Sequence, residues 1–174
     1  LWDYPWYIFP FQLCSTPLYI LPFVIFVKNE KVRKFFISYM MTFSLFGGLA
    51  VYAYPNDVFT STTVINFQTM IHHGLQIVLG IFLVTVYKKE YDLKYFAKGI
   101  LVFAGLSITA LILNISFYHI FQHLGYDDTF NMFFVSPYFD CTLPVLSAIY
   151  PKVPYIAFIL IYNIGLYSNS LIYY

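Results

Sequence analysis

The stretch STTVINFQTMIHHGLQIVLGIFLVTVY, residues 61–87, decides the fold class because it contains no Asp, Glu, Lys or Arg. About 20 consecutive apolar residues in a helix cross the hydrocarbon core of a bilayer, which is about 30 Å thick. Inside lipid every backbone N–H and C=O needs a partner within the protein, and an α-helix provides one. Residues 61–87 are therefore predicted to form a membrane-spanning helix.

Four more apolar runs of similar length flank this stretch, over residues 6–27, 35–53, 95–121 and 153–174. Only 10% of the 174 residues are charged, whereas soluble domains carry about 25%. The chain is predicted to be all-α, a polytopic transmembrane helix bundle with about five spans in one domain over residues 1–174. We expect it to continue beyond both ends, because residue 1 is not Met and no basic residue follows the last run.

The basic residues are placed asymmetrically. Eight of the nine lie in two links, after the first run and after the third, or just inside the fourth run: Lys28, Lys31, Arg33, Lys34, Lys88, Lys89, Lys94 and Lys98. Cytoplasmic links carry such an excess, so residue 1 is predicted outside and residue 174 in the cytoplasm. Accessibility labelling that placed Lys31 and Asp127 on the same side of the membrane would contradict this. A net charge of +1 without a basic stripe predicts no nucleic-acid partner.

The loop over residues 122–152 is predicted to lie outside. It contains the apolar stretch 130–135, which would leave an exposed apolar patch if it stood in water. We predict that this stretch folds back against the helices and partly covers the site described next.

Polar side chains are scarce in the runs and mark candidate sites, because burying them in lipid is costly. They are Gln12, Cys14, Gln68, His72, His73, Gln76, Asn114 and His119. At 1.5 Å per residue, Cys14, His73 and Asn114 each lie about 7 to 10 residues from the outer end of their runs. A thiol needs a base to become a nucleophile, and His is the usual one. Cys14 and His73 are therefore a candidate catalytic pair, with Asn114 to orient the imidazole or bind an oxyanion.

Several alternatives stay open. His72 is a second candidate base, because adjacent residues point about 100° apart around a helix. A buried Cys can simply pack, a membrane His can simply join helices, and Cys14 could form a disulfide with Cys141. His119 and His123 have the i, i+4 spacing of metal ligands but lack a third partner. We predict neither a metal site nor a cofactor.

Short motifs in a fixed order resemble the YwaF family of bacterial integral membrane proteins, which is similar to animal transmembrane protein 164. They are Phe11-Gln12-Leu13-Cys14, the His73-Gly74 step, Asn114, Asn131 and the stretch from Pro137 to Pro154. The resemblance implies about two more helices before Cys14, so that the chain is the later part of a bundle of about six or seven helices, in a bacterial plasma membrane.

The resemblance also implies an activity. The animal relative is an acyltransferase that acts on phospholipid chains through a Cys and a His, and the matching positions are Cys14 and His73. Gln12 and Asn131 join Asn114 as oxyanion-binding or orienting residues. The predicted function is an intramembrane Cys/His acyltransferase or acyl hydrolase whose partners are membrane lipids. The alternative is a non-catalytic subunit whose partners are other subunits of a membrane assembly.

Overall fold

The computed structural model describes Trp6 and residues 9–171, apart from the side chain of residue 57. Within these residues the chain is helical and contains no strand. The helices are α1 Pro17–Phe26, α2 Glu30–Tyr39, α3 Leu45–Ala53, α4 Thr63–Tyr87, α5 Leu93–Leu124, α6 Leu146–Ile149 and α7 Tyr155–Leu171. The all-α prediction is confirmed.

Three continuous helices are long and apolar enough to cross a membrane. The first joins α2 to α3 through a π-helical turn, Met40–Ser44, and runs over Glu30–Ala53. The second is α4 with the 3-10 turn after it, Thr63–Glu90, and the third is the 32-residue α5. The remaining apolar helices, α1 and α7, are shorter. The chain is thus a helical membrane protein, with three long apolar helices and two short ones among the residues that the structure describes.

The run over residues 6–27 was predicted as a span, and among its described residues the α-helix covers only Pro17–Phe26. Residues 12–16 form bends and turns, and the Thr16 hydroxyl donates to the Leu13 carbonyl at 2.7 Å. Proline lacks an N–H and fixes its own φ, which suits the first turn of a helix better than its interior. Pro17 accordingly begins α1 and leaves Cys14 in the turn before it.

Contacts divide the chain into two compact units. We call Leu13–Phe103 with Tyr167–Tyr174 the cysteine unit, and Leu1–Gln12 with Ala104–Leu166 the loop unit. Helix α5 contributes residues to both. The single domain over residues 1–174 stays a prediction.

Helices α3 and α4 of the cysteine unit pack closely because glycines lie between them. A Cβ on Gly48 of α3 would lie 3.0 Å from the His73 carbonyl oxygen, and one on Gly80 of α4 would lie 2.7 Å from the Leu45 Cβ. Small residues let membrane helices approach to backbone distance. Gly48 thus lets α3 approach α4 closely, and this contact fixes the height of His73 against α3.

The core of the loop unit is a stretch of irregular backbone. Phe130, Met132 and Phe133 are fully buried, and the Phe130 ring stacks on Phe117 of α5 at 4.5 Å between centroids. The predicted burial of residues 130–135 is therefore confirmed, whereas its covering of a site stays a prediction. Both Phe133 and Phe134 have φ of 56°, a left-handed conformation that costs a residue other than glycine about 1–2 kcal/mol. Strong contacts must hold this stretch in place.

Candidate functional site

Cys14 lies in the turn before α1; the residue is partly exposed and its thiol is not in a disulfide. The alternative of a Cys14–Cys141 disulfide is therefore wrong. A thiol in a turn is not tied into the regular backbone pattern of a helix, and its position depends on what anchors the turn.

The anchor is the carbonyl oxygen of Cys14, which accepts hydrogen bonds from two side chains of α4. His72 Nε2 lies 2.8 Å from this oxygen, and Gln76 Nε2 also donates to it. A carbonyl oxygen only accepts, so a bond from His72 to it needs the proton on Nε2, whereas the amide nitrogen of Gln76, 2.9 Å from the same Nε2, would donate to the other tautomer. The residues His72 and Gln76, which stand one helical turn apart, thereby hold the cysteine turn against α4.

His73 points in another direction and is only 3% exposed. Its Nδ1 lies 2.7 Å from the Thr69 carbonyl oxygen one turn earlier in α4. Because that oxygen is an acceptor, Nδ1 carries the ring proton and Nε2 presents a lone pair. This Nε2 is buried and has no hydrogen-bond partner. His73 thus has the tautomer that a general base requires at Nε2.

Gln76 also binds the cysteine turn, although it was not among the predicted site residues. It is 4% exposed, and its Oε1 is buried without a hydrogen-bond partner while its Nε2 binds Cys14. The signal in the sequence was its spacing, since Gln76 follows His72 by four residues and His73 by three, the two spacings that share a helix face.

The three other predicted site residues, Gln12, Asn114 and Asn131, lie in the loop unit and bind the backbone of the loop. Asn114 clamps Met132 from both sides, because its Nδ2 donates to the Met132 carbonyl at 2.9 Å and its Oδ1 accepts the Met132 N–H at 2.7 Å. Gln12 donates to the Asn131 carbonyl at 3.0 Å and accepts the Phe133 N–H at 2.9 Å. These bonds hold the left-handed stretch in place.

Asn131 completes this clamp. Its Oδ1 accepts the Ser136 N–H at 3.0 Å, and its Nδ2 donates to the carbonyls of Phe139 and Asp140. The amide atoms of all three residues therefore have partners. The structure brings Gln12 and Asn131 into contact and places the Asn114 clamp on the residue that follows Asn131.

The pair of histidines at the end of α5 belongs to the surface of the loop unit. His119 Nε2 lies 3.2 Å from the Tyr138 hydroxyl, and both side chains are largely exposed. His119 therefore has an aromatic partner in the loop.

Comparison with known proteins gives one result. The TMEM164 family matches residues 2–168, nearly the whole chain. No curated protein and no solved structure matches. The match confirms the resemblance drawn from the short motifs, and it covers both the cysteine turn and the loop clamp. The chain belongs to the TMEM164 family.

Proposed function

We propose that this chain is an intramembrane acyltransferase or acyl hydrolase that uses Cys14 as nucleophile and His73 as base on the acyl esters of membrane lipids. The observation that carries the proposal is that a residue with a free thiol is held against α4, where a partly exposed and a buried histidine follow one another. His72 hydrogen-bonds to the backbone of Cys14, and the next residue, His73, presents a buried Nε2 lone pair without a partner. A structural histidine inside a membrane normally uses its polar atoms to join helices.

The first half-reaction follows from these groups. Nε2 of His73 takes the proton of the Cys14 thiol, and the thiolate attacks the carbonyl carbon of a lipid ester. A C–S bond forms, the ester C–O bond breaks, and the leaving alkoxide takes the proton back from His73. The product is an acyl-thioester on Cys14 and a lipid that has lost one chain. In the second half-reaction a hydroxyl compound accepts the acyl chain and the thiol is restored.

The two histidines divide the work in this proposal. Nε2 of His72 already lies against the Cys14 carbonyl and the Gln76 amide, whereas Nε2 of His73 is a buried acceptor without a partner. We therefore assign the base to His73 and the positioning of the nucleophile to His72.

Lipid has access to this part of α4. His72 lines a groove of about 460 Å³ on the helix surface. The other residues of the groove are Val64, Phe67, Gln68, Ile71 and Leu75. Their spacing of three and four residues makes a continuous stripe along one face. A mostly apolar stripe that reaches a histidine suits an acyl chain. In this proposal the protein lies in the bacterial plasma membrane with residue 1 outside and residue 174 in the cytoplasm.

The loop residues have an orienting part in this proposal. Both amide atoms of Gln12 and of Asn114 are bonded to the loop backbone, so binding an oxyanion would require those bonds to open. We assign Gln12, Asn114 and Asn131 to holding residues 131–136, which include the two left-handed phenylalanines.

The second candidate function is a non-catalytic subunit of a membrane assembly. The observation that favours it is that the bonds of His72 and Gln76 end on a backbone carbonyl, as bonds that only lock helices together would. In that case the thiol has no chemical task, and chemistry at Cys14 separates the two candidates.

The test is to look for the acyl-thioester. The purified protein is incubated in vesicles with a phospholipid that carries a labelled acyl chain, and the label on the protein is measured before and after hydroxylamine. We expect labelling that hydroxylamine removes, its loss in Cys14→Ala, and its persistence in Cys141→Ala, which removes the other, buried cysteine. Absence of label from the wild-type protein, or equal labelling of Cys14→Ala, would favour the structural subunit.

A further inference from the structure

Two buried hydrogen-bond acceptors without partners stand on the same side of α4. They are Nε2 of His73 and Oε1 of Gln76, on side chains that are 3% and 4% exposed. The donors of the same two side chains are occupied, since Nδ1 of His73 donates to Thr69 and Nε2 of Gln76 donates to Cys14. Neither side chain can therefore turn its free atom into a donor without breaking a bond.

Such a pair is unusual. Buried polar atoms nearly always have a hydrogen-bond partner, so each exception needs an explanation, such as a catalytic role or a bound water. Residues three apart on a helix are neighbours, with about 5–6 Å between their Cβ atoms. A single small group that supplies two donor hydrogens would satisfy both acceptors.

The chemistry of the pair limits what this group can be. An ammonium also has two hydrogens to give, but burying a charge against two neutral acceptors costs far more than burying a neutral molecule. A simple alcohol has only one O–H to donate. Water is small, neutral and has two.

We propose that His73 and Gln76 bind the water that removes the acyl chain from Cys14, so that the enzyme is a hydrolase. This inference rests on the proposed function and decides between its two forms. One O–H of the water faces Nε2 of His73 and the other faces Oε1 of Gln76.

The step balances as follows. The water oxygen attacks the thioester carbon while its first proton passes to Nε2 of His73. The C–S bond breaks, a free fatty acid leaves, and the Cys14 thiolate recovers the proton from His73. The second O–H stays with the oxygen, and its bond to Gln76 holds the water in position during the attack.

The experiment separates the two half-reactions in water enriched in oxygen-18. Acyl-Cys14 is formed from a labelled phospholipid in vesicles, and its discharge and the oxygen-18 content of the released fatty acid are followed. We expect one oxygen-18 atom per released chain. We expect Gln76→Leu to form acyl-Cys14 but to discharge it about tenfold more slowly, the size of one lost hydrogen bond. His72 still holds the Cys14 carbonyl in this variant, and the formation of acyl-Cys14 shows that it has folded.

Two further variants assign the effect to the Oε1 atom. Gln122→Leu changes the same residue type near the end of α5, where the side chain is exposed, and should discharge at the wild-type rate. Gln76→Glu keeps an acceptor oxygen at the site and should discharge faster than Gln76→Leu. Equal rates for these two variants at position 76 would overturn the assignment.

The failures can be told apart. If the wild-type protein forms no acyl-Cys14, both the proposed function and this inference fall. If acyl-Cys14 forms but its chain passes to a lipid hydroxyl without oxygen-18 in a free acid, the inference alone is wrong. The same holds if Gln76→Leu discharges as fast as the wild-type protein.

Discussion

The loop clamp and the cysteine turn are both built from polar side chains that bind backbone groups, yet they differ in how completely those side chains are used. In the clamp, the amide atoms of Gln12, Asn114 and Asn131 all have partners. At the cysteine turn, His73 and Gln76 each bond through one polar atom, and the other polar atom is buried without a hydrogen-bond partner.

This difference distinguishes polar residues that stabilise the fold from polar residues that could act in a reaction. A polar group whose atoms are all bonded contributes to stability and specifies one conformation. A buried acceptor that has no partner costs stability in the resting protein, so its retention points to a partner that arrives later. Substitutions in the clamp should therefore change unfolding, whereas substitutions at the turn should change turnover.

The largest effect is expected at the two histidines. His73→Gln removes the base at Nε2 and should slow formation of acyl-Cys14 by about 100-fold or more. His72→Gln should slow it only a few-fold, because Gln76 still donates to the Cys14 carbonyl. The initial rates of labelling of the two variants measure this. A larger loss in His72→Gln would exchange the roles assigned to the two rings.

Asn114 tests the clamp. Asn114→Leu leaves the N–H and C=O of Met132 buried without partners, which should lower the free energy of unfolding by about 2 kcal/mol or more. Reversible unfolding in mixed micelles measures the change. Thr109→Val, which removes one bond on the exposed side of α5, should stay within about 0.5 kcal/mol of the wild type. If Asn114→Leu unfolded like the wild type but lost turnover, the clamp would have a role in the reaction, and its assignment to stability alone would be wrong.

The smallest effect is expected where α3 meets α4. A methyl on Gly48 would lie 3.0 Å from the His73 carbonyl oxygen, so Gly48→Ala should push the helices apart slightly and cost about 1 kcal/mol of unfolding free energy. Gly105→Ala has open space around it and should instead stabilise α5 by about 0.5–1 kcal/mol. Opposite signs in the same unfolding assay are the expected result, and equal signs would refute the close approach at Gly48.

Periodicity and burial cost explain which parts of this fold the sequence could predict. The long apolar runs predicted helices because lipid leaves the backbone no other partner, and the apolar residues 130–135 predicted a buried loop. The α-helix of the first run begins at Pro17, because proline suits the first turn of a helix and not its interior.

The site was predictable in its residue types but not in its bonds. The similar depths of Cys14 and His73 in their apolar runs predicted the pair, and the resemblance to the YwaF family supported it. The sequence could not say that His72 would take the Cys14 carbonyl, which tautomer His73 would adopt, or that Gln76 would leave an oxygen unused. Those features depend on where a carbonyl group of another segment lies, and no local pattern encodes that position.

The hydrogen-bond partners of Gln12 are synthesised long after Gln12 itself. Its bonds reach Asn131 and Phe133, which follow it by 119 and 121 residues. At about 5–20 residues per second, synthesis of that distance takes roughly 6 to 24 s. Throughout that interval the amide two residues before Cys14 has neither of its final partners, although the helices that follow it are already emerging. The nascent chain therefore completes this anchor late, after most of its length has been made.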